Sequence, residues 1–188
     1  MKTEHRFAEE LKKMMVVQPL DDISVLALSK KCKVDRKTFY YHFHDIYDLL
    51  TLIYLNEKIE GINEVKSRDE LLSILYTYYE KNASFIDATL SSAGKDLVLE
   101  FFYNKCYTAF LKLVLIADKD RKLSLNDRKI LARYYASAYS YSIVYYLSSH
   151  KHKTKEGLFE IFAFINKDEL TKATNNMIKI RSNRKENK

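Results

Sequence analysis

Residues 23–50, ISVLALSKKCKVDRKTFYYHFHDIYDLL, decide the fold of this chain. Ser24 is placed as a helix N-cap, with Ile23 before it and Leu28 four residues inside, the arrangement of a hydrophobic staple. The spacing predicts a short helix over 25–32. Asp35 then offers a fresh cap and opens a second short helix from Arg36 to His42. Asp45 caps a longer one, expected to run to Gly61, with Leu49, Leu50, Ile53 and Leu55 available for burial. Upstream, Phe7, Leu11, Met14 and Met15 recur at helical spacing across 3–17 until Pro19 closes that helix.

Two short helices joined by a tight turn are a helix-turn-helix, here over 24–43, and the second helix of such a pair enters the DNA major groove. Lys30, Lys31, Lys33, Arg36 and Lys37 cluster in and around the turn. Each phosphate they neutralise releases condensed counterions, which supplies the salt-dependent part of DNA affinity. The plain alternative is a solvated lysine face beside core aromatics. Against it, Tyr40, Tyr41 and His42 are consecutive, and at 3.6 residues per turn one helix cannot bury all three. Their hydroxyls and imidazole N–H suit phosphate contacts, while Phe39 and Phe43 face the core.

The same stretch resembles the DNA-binding segment of the tetracycline-repressor (TetR) family of transcriptional regulators. Ile23, Ser24, Val25, Leu28, Val34, Thr38, Phe39, Tyr40, His42, Phe43 and Leu49 match that pattern in type and spacing without a gap. The likeness spans residues 5–60; beyond it the chain resembles the family in length and helical content. It implies a homodimer on palindromic double-stranded DNA, with Tyr40 and His42 on phosphates and Arg36, Lys37, Thr38 and Tyr41 near base edges or backbone. It also implies a ligand-binding and dimerising domain after residue 65. Two residues depart from the pattern. Lys33 stands where the family has a turn glycine, so a residue with a Cβ must adopt a left-handed conformation, although its charge adds to the DNA-facing set. Ile46 replaces a lysine at the start of the next helix.

Composition agrees with an all-α fold. Only 3 glycines and 1 proline punctuate 188 residues that are 47% hydrophobic, too few turn formers for a β-rich or doubly wound fold. The net charge of +7 favours polyanionic partners. A composition change after Gly61 divides the chain into a DNA-binding domain over 1–63, a helical effector-binding and dimerisation domain over 64–182, and a basic tail over 183–188. Further helices are expected over 69–80, 82–92, 95–117, 126–149 and 155–165, with a short one near 168–180. The 126–149 segment is apolar or tyrosine on nearly every side, so with 155–165 it is expected to form a four-helix homodimer interface. The alternative is that it is simply the central helix of a monomer. Among the many tyrosines, Tyr79, Tyr103, Tyr107, Tyr135 and Tyr139 are candidates to line a small-molecule effector cavity, although tyrosines at such spacing also make ordinary cores.

Several classes are disfavoured. No glycine-rich phosphate loop, nucleophile elbow or metalloprotease motif is present, so no catalytic residue is assigned and no enzyme is expected. Cys32 and Cys106 have no motif spacing, and the His150/His152 pair suits an exposed turn; no metal or cofactor is expected beyond an unidentified effector. The start of the sequence lacks a signal-peptide pattern, and 97–116 carries Glu100, Lys105 and Lys112, which points to a cytoplasmic protein with no membrane span. The competing functional reading is a helical interaction module that has lost DNA binding.

Overall fold

The computed structural model describes residues 2–186, and all the regular structure among them is helical. Helix α1 spans Lys2–Met15, α2 Val25–Lys31, α3 Arg36–His42, α4 Ile46–Asn56, α5 Arg68–Lys81, α6 Ala83–Leu90, α7 Lys95–Ala117, α8 Leu125–Ser149, α9 Lys155–Glu160 and α10 Glu169–Glu186. Two of the three expected caps act at the helix-turn-helix; Asp35 stands at the N-cap position of α3 but its carboxylate makes no capping hydrogen bond. Ser24 Oγ accepts the Ala27 N–H at 3.1 Å, capping α2. At α4, Asp45 accepts the Asp48 N–H at 2.8 Å while Asp48 accepts the His44 N–H at 3.0 Å, a reciprocal box that orients the helix start. The turn between α2 and α3 passes through Lys33 at φ 52, the left-handed conformation expected of a residue in the glycine's place. A Cβ there costs on the order of 1 kcal/mol.

Contacts group the residues up to Lys58 with Tyr79–Phe101 as one compact unit, and Ile59–Tyr78 with the residues from Phe102 onward as the other. The division therefore differs from a single cut at 63/64. Its cause is α6, whose Phe85 stacks on Tyr54 of α4 at 5.1 Å and whose Thr89 takes the Tyr54 hydroxyl at 3.1 Å. In this unit Phe7 meets Phe39 edge-on at 5.2 Å and Phe43 at 6.2 Å, so α1 and α3 share one aromatic core. Phe7, Leu11, Leu28, Phe39, Leu49 and Leu50 are fully buried there, each contributing roughly 1.5–3 kcal/mol by its removal from water.

Three helix ends fall elsewhere than periodicity places them. Helix α4 stops at Asn56, five residues before Gly61, because Glu57 turns extended (ψ 129) and its carboxylate pairs with Lys12 of α1. Leu55 consequently stays 71% exposed, off the Ile46–Leu49–Leu50–Ile53 face. Helix α9 ends at Glu160 and gives way to turns through Ile165. There the Arg68 guanidinium takes the Ile165 carbonyl at 2.7 Å. Helix α10 runs through Glu186, well beyond residue 180, because Arg181 donates to Asp127 of α8 at 2.8 Å and ties the added turns down. The expected basic tail thus begins as helix over 183–186, and 187–188 lie outside the described residues.

The second unit has its core between α7, α8 and α10, where Val114, Leu123 and Leu131 pack against Leu170, Ala173, Met177 and Ile178. Asp118, buried in the α7–α8 loop, accepts the Lys122 and Leu123 N–H groups at 2.8 and 3.2 Å and pairs with Arg128 at 3.0 Å. Burial raises its pKa, but these donors outweigh burial and hold the carboxyl below the ordinary carboxylate range. Among the described residues no helix is long and apolar enough to cross a membrane.

Candidate nucleic-acid interface

Helix α3 is amphipathic in an unusual sense: its inner face is aromatic and its outer face is cationic and phenolic. Phe39 is wholly buried and anchors the helix, whereas Lys33, Arg36, Lys37, Tyr40 and Tyr41 are exposed, Tyr41 at 85%. Thr38 is half-buried on the flank. Arg36 lies over the Tyr40 ring at 5.7 Å, and its guanidinium reaches the Tyr40 hydroxyl at 3.4 Å, so cation and phenol present one ridge. With Lys30 and Lys31 at the end of α2, the surface of 30–37 carries five cations against Asp35 alone.

His42 is arranged differently. Its side chain is 20% exposed, and Nδ1 lies 3.3 Å from the Glu4 carboxylate of α1. The Glu4 carboxylate can only accept, so it takes the hydrogen bond from Nδ1–H and fixes the ring orientation. Nothing in the local sequence announces Glu4, which is 38 residues away from its partner.

Ile46 is 8% exposed, packed beneath the start of α4 rather than set at a DNA-facing edge. A cation is therefore missing at that point of the surface, and its place is taken by core.

In the second unit, two of the five candidate tyrosines meet at one cavity. Tyr135 and Tyr139 line a space of about 270 Å³ beside Phe110, which contacts them at 5.4 and 4.8 Å between ring centroids. Burial pushes the Tyr139 phenol up to about 12, with the Arg68 guanidinium opposing that shift; burial also raises Tyr135, and the Glu169 carboxylate beside it acts in the same direction. Tyr103 and Tyr107 stack on one another along α7 at 6.1 Å and are not among the cavity's lining residues. Tyr79 belongs to the first unit, where its hydroxyl is 3.2 Å from Asp87. Arg68 and Glu169 are cavity residues that periodicity did not single out.

The outer side of α8 carries a stripe. Tyr134, Tyr141 and Tyr145 are 68%, 64% and 61% exposed, and Phe164, just past α9, is 84% exposed. These positions recur at seven and four residues, so the three rings share one face.

A family model described as a transcriptional regulator C-terminal region, of TetR type, matches residues 66–168, more than half of the chain. The chain belongs to the TetR family of transcriptional regulators. The family assignment thus comes from the C-terminal part, independently of the helix-turn-helix residues that resemble the family in sequence. Among solved structures, the dihydroxyacetone kinase operon activator DhaS is similar in fold, with a TM-score of 0.54 at 23% identity over 95% of this chain and 93% of that one. A search of curated proteins finds no sequence match.

Proposed function

We propose that the chain is a homodimeric DNA-binding regulator that reads a palindromic operator with α3 of each subunit. The observation that carries this reading is the exposed ridge of Lys33, Arg36, Lys37, Tyr40 and Tyr41 on a helix held rigidly from behind by Phe39. Cations and phenols set phosphate register, and Arg36, Lys37, Thr38 and Tyr41 lie close to base edges or backbone. His42, held at Nδ1 by Glu4, donates Nε2–H to a phosphate as the imidazolium, the form in which both ring nitrogens carry protons. Residues 1–63 form the DNA-binding part, and 64–182 the effector-binding and dimerising part.

Dimerisation through α8 and the 155–165 segment is supported by the exposed stripe of Tyr134, Tyr141 and Tyr145 together with Phe164, more aromatic surface than a monomer keeps in water without purpose. Recognition helices then lie one turn of DNA apart, about 34–36 Å, or more if the duplex is bent. Repression, relieved when an effector fills the cavity beside Tyr135 and Tyr139, is the regulatory reading. The solved neighbour is named as an activator, and at its level of identity that name decides nothing here; reporter expression with and without the chain gives the sign.

One observation favours the second reading, an interaction module without operator binding: Ile46 is buried where the family pattern has a lysine. Selection of bound fragments from pooled genomic DNA separates the two. Enrichment of a two-fold site supports the regulator, and recovery of the input pool unchanged, or a monomer in light scattering, contradicts it.

A further inference from the structure

The cavity of the second unit has a chemical polarity that its volume alone does not convey. Its buried lining is Phe110, Leu113, Tyr135 and Tyr139, with Ala117 half-buried beside them. Its rim is cationic: Lys66, Arg68, Lys119 and Lys167 all border it, against a single lining carboxylate, Glu169. Arg68 is a built element of that rim, since its side chain is 17% exposed and its guanidinium is fixed on Asp69 at 3.0 Å and on the Ile165 carbonyl at 2.7 Å. Lys167 shares Asp69 at 3.2 Å. Counting Asp69 as well as Glu169, the mouth keeps an excess of two positive charges, and a cleft of one sign with apolar walls focuses its field on what enters.

We infer that this cavity binds a small organic monoanion, a carboxylate carried on a single ring or branched apolar body. Size sets the body: an apolar cavity of about 150 Å³ takes one benzene ring, so 270 Å³ admits a ring with a short polar arm. The aromatic side chains of Phe110, Tyr135 and Tyr139 offer edge and face contacts to that ring. The carboxylate lies toward the lysine rim, within reach of the Tyr139 hydroxyl, which stands beside Arg68. Glu169, the one lining carboxylate, keeps the ligand's own carboxylate to the lysine side.

The inference rests on the effector reading of this cavity but not on DNA binding. Its test is calorimetric titration of the full chain with phenylacetate, 2-phenylethanol and phenethylamine at neutral pH. Phenylacetate binds at a single saturable site, about tenfold more tightly than the alcohol, with the amine weaker still. Lys119→Gln weakens phenylacetate several-fold and leaves the alcohol unchanged. Ala117→Phe, which fills a half-buried lining position, removes binding of both while the melting temperature holds. Equal affinity for acid, alcohol and amine, phenylacetate binding that survives Ala117→Phe, or no phenylacetate binding at all overturns the inference. Operator affinity measured alongside keeps the two readings apart: intact DNA binding without acid binding sinks the ligand class alone, and acid binding that leaves DNA affinity untouched sinks only its role as effector.

Discussion

The two compact units build their candidate sites in opposite ways. In the first, nearly every candidate lies within ten consecutive residues, Lys33 to His42, displayed by one short helix whose inner face is core. In the second, the cavity gathers residues from 66 to 171, on α5, α7, α8 and α10 and the connections before them. A linear surface is written by local rules, caps and 3.6-residue spacing. A concave one is written by tertiary packing. The difference predicts that changes in the first unit act on binding one group at a time, while changes behind the second unit's cavity act on stability first.

The largest expected effect is at Asp118. Removing it as Asp118→Ala leaves the Arg128 charge and two loop N–H groups without their acceptor, a loss of about 3–5 kcal/mol of the kind seen when one member of a buried pair is deleted. Denaturant melts followed by circular dichroism measure it. The same carboxylate gives a pH dependence whose sign is fixed. Its folded pKa is depressed, so its stabilisation is complete above the ordinary aspartate range and is lost as pH falls through that range toward the depressed value. Melting temperature should therefore decline on acidification in the wild type, and by less in Asp118→Ala.

Next comes Ile46→Lys, which inserts a charge at a position only 8% exposed. A loss of about 2–3 kcal/mol is expected, with no gain in DNA affinity. A stable variant that binds DNA more tightly would mean that this end of α4 faces the duplex after all, and would blur the contrast between core and display surface. Tyr40→Phe is smaller: the fold is kept, and affinity for specific and unrelated duplexes falls alike by about 1 kcal/mol, as for one lost phosphate hydrogen bond. A drop confined to the specific site would move Tyr40 from phosphate to base readout. Smallest is Lys33→Gly. Relief of the left-handed backbone at φ 52 is worth about 0.5–1 kcal/mol, partly offset by the greater freedom of glycine in the unfolded chain. Thermal melts that show a loss of stability instead would mean the lysine side chain itself holds the turn.

How much was legible in the sequence follows the same contrast. Ser24 and Asp45 announce their caps, and the buried pair Phe39 and Phe43 follows from spacing, because each depends on residues within one turn. The end of α4 did not, since Glu57 stops the helix by pairing with Lys12, 45 residues earlier. Nor did the length of α10, which the Arg181–Asp127 pair extends from 54 residues away. Five tyrosines had equal claims on a cavity by composition. Only packing around Phe110 selects Tyr135 and Tyr139, while Tyr103 and Tyr107 stack together and Tyr79 turns to Asp87. Glu4 was equally silent, because its role depends on where α1 places it beside His42.

The central claim is that the outer face of α3 docks on DNA phosphates. The most direct test is the affinity of the full chain for a nonspecific duplex across a salt series, with Lys37→Ala measured beside it. The account predicts a log–log line falling steeply, at about 0.9 per neutralised phosphate, and a slope shallower by about 0.9 per subunit once Lys37 is removed. A flat line, or one that Lys37→Ala leaves unchanged, would contradict it.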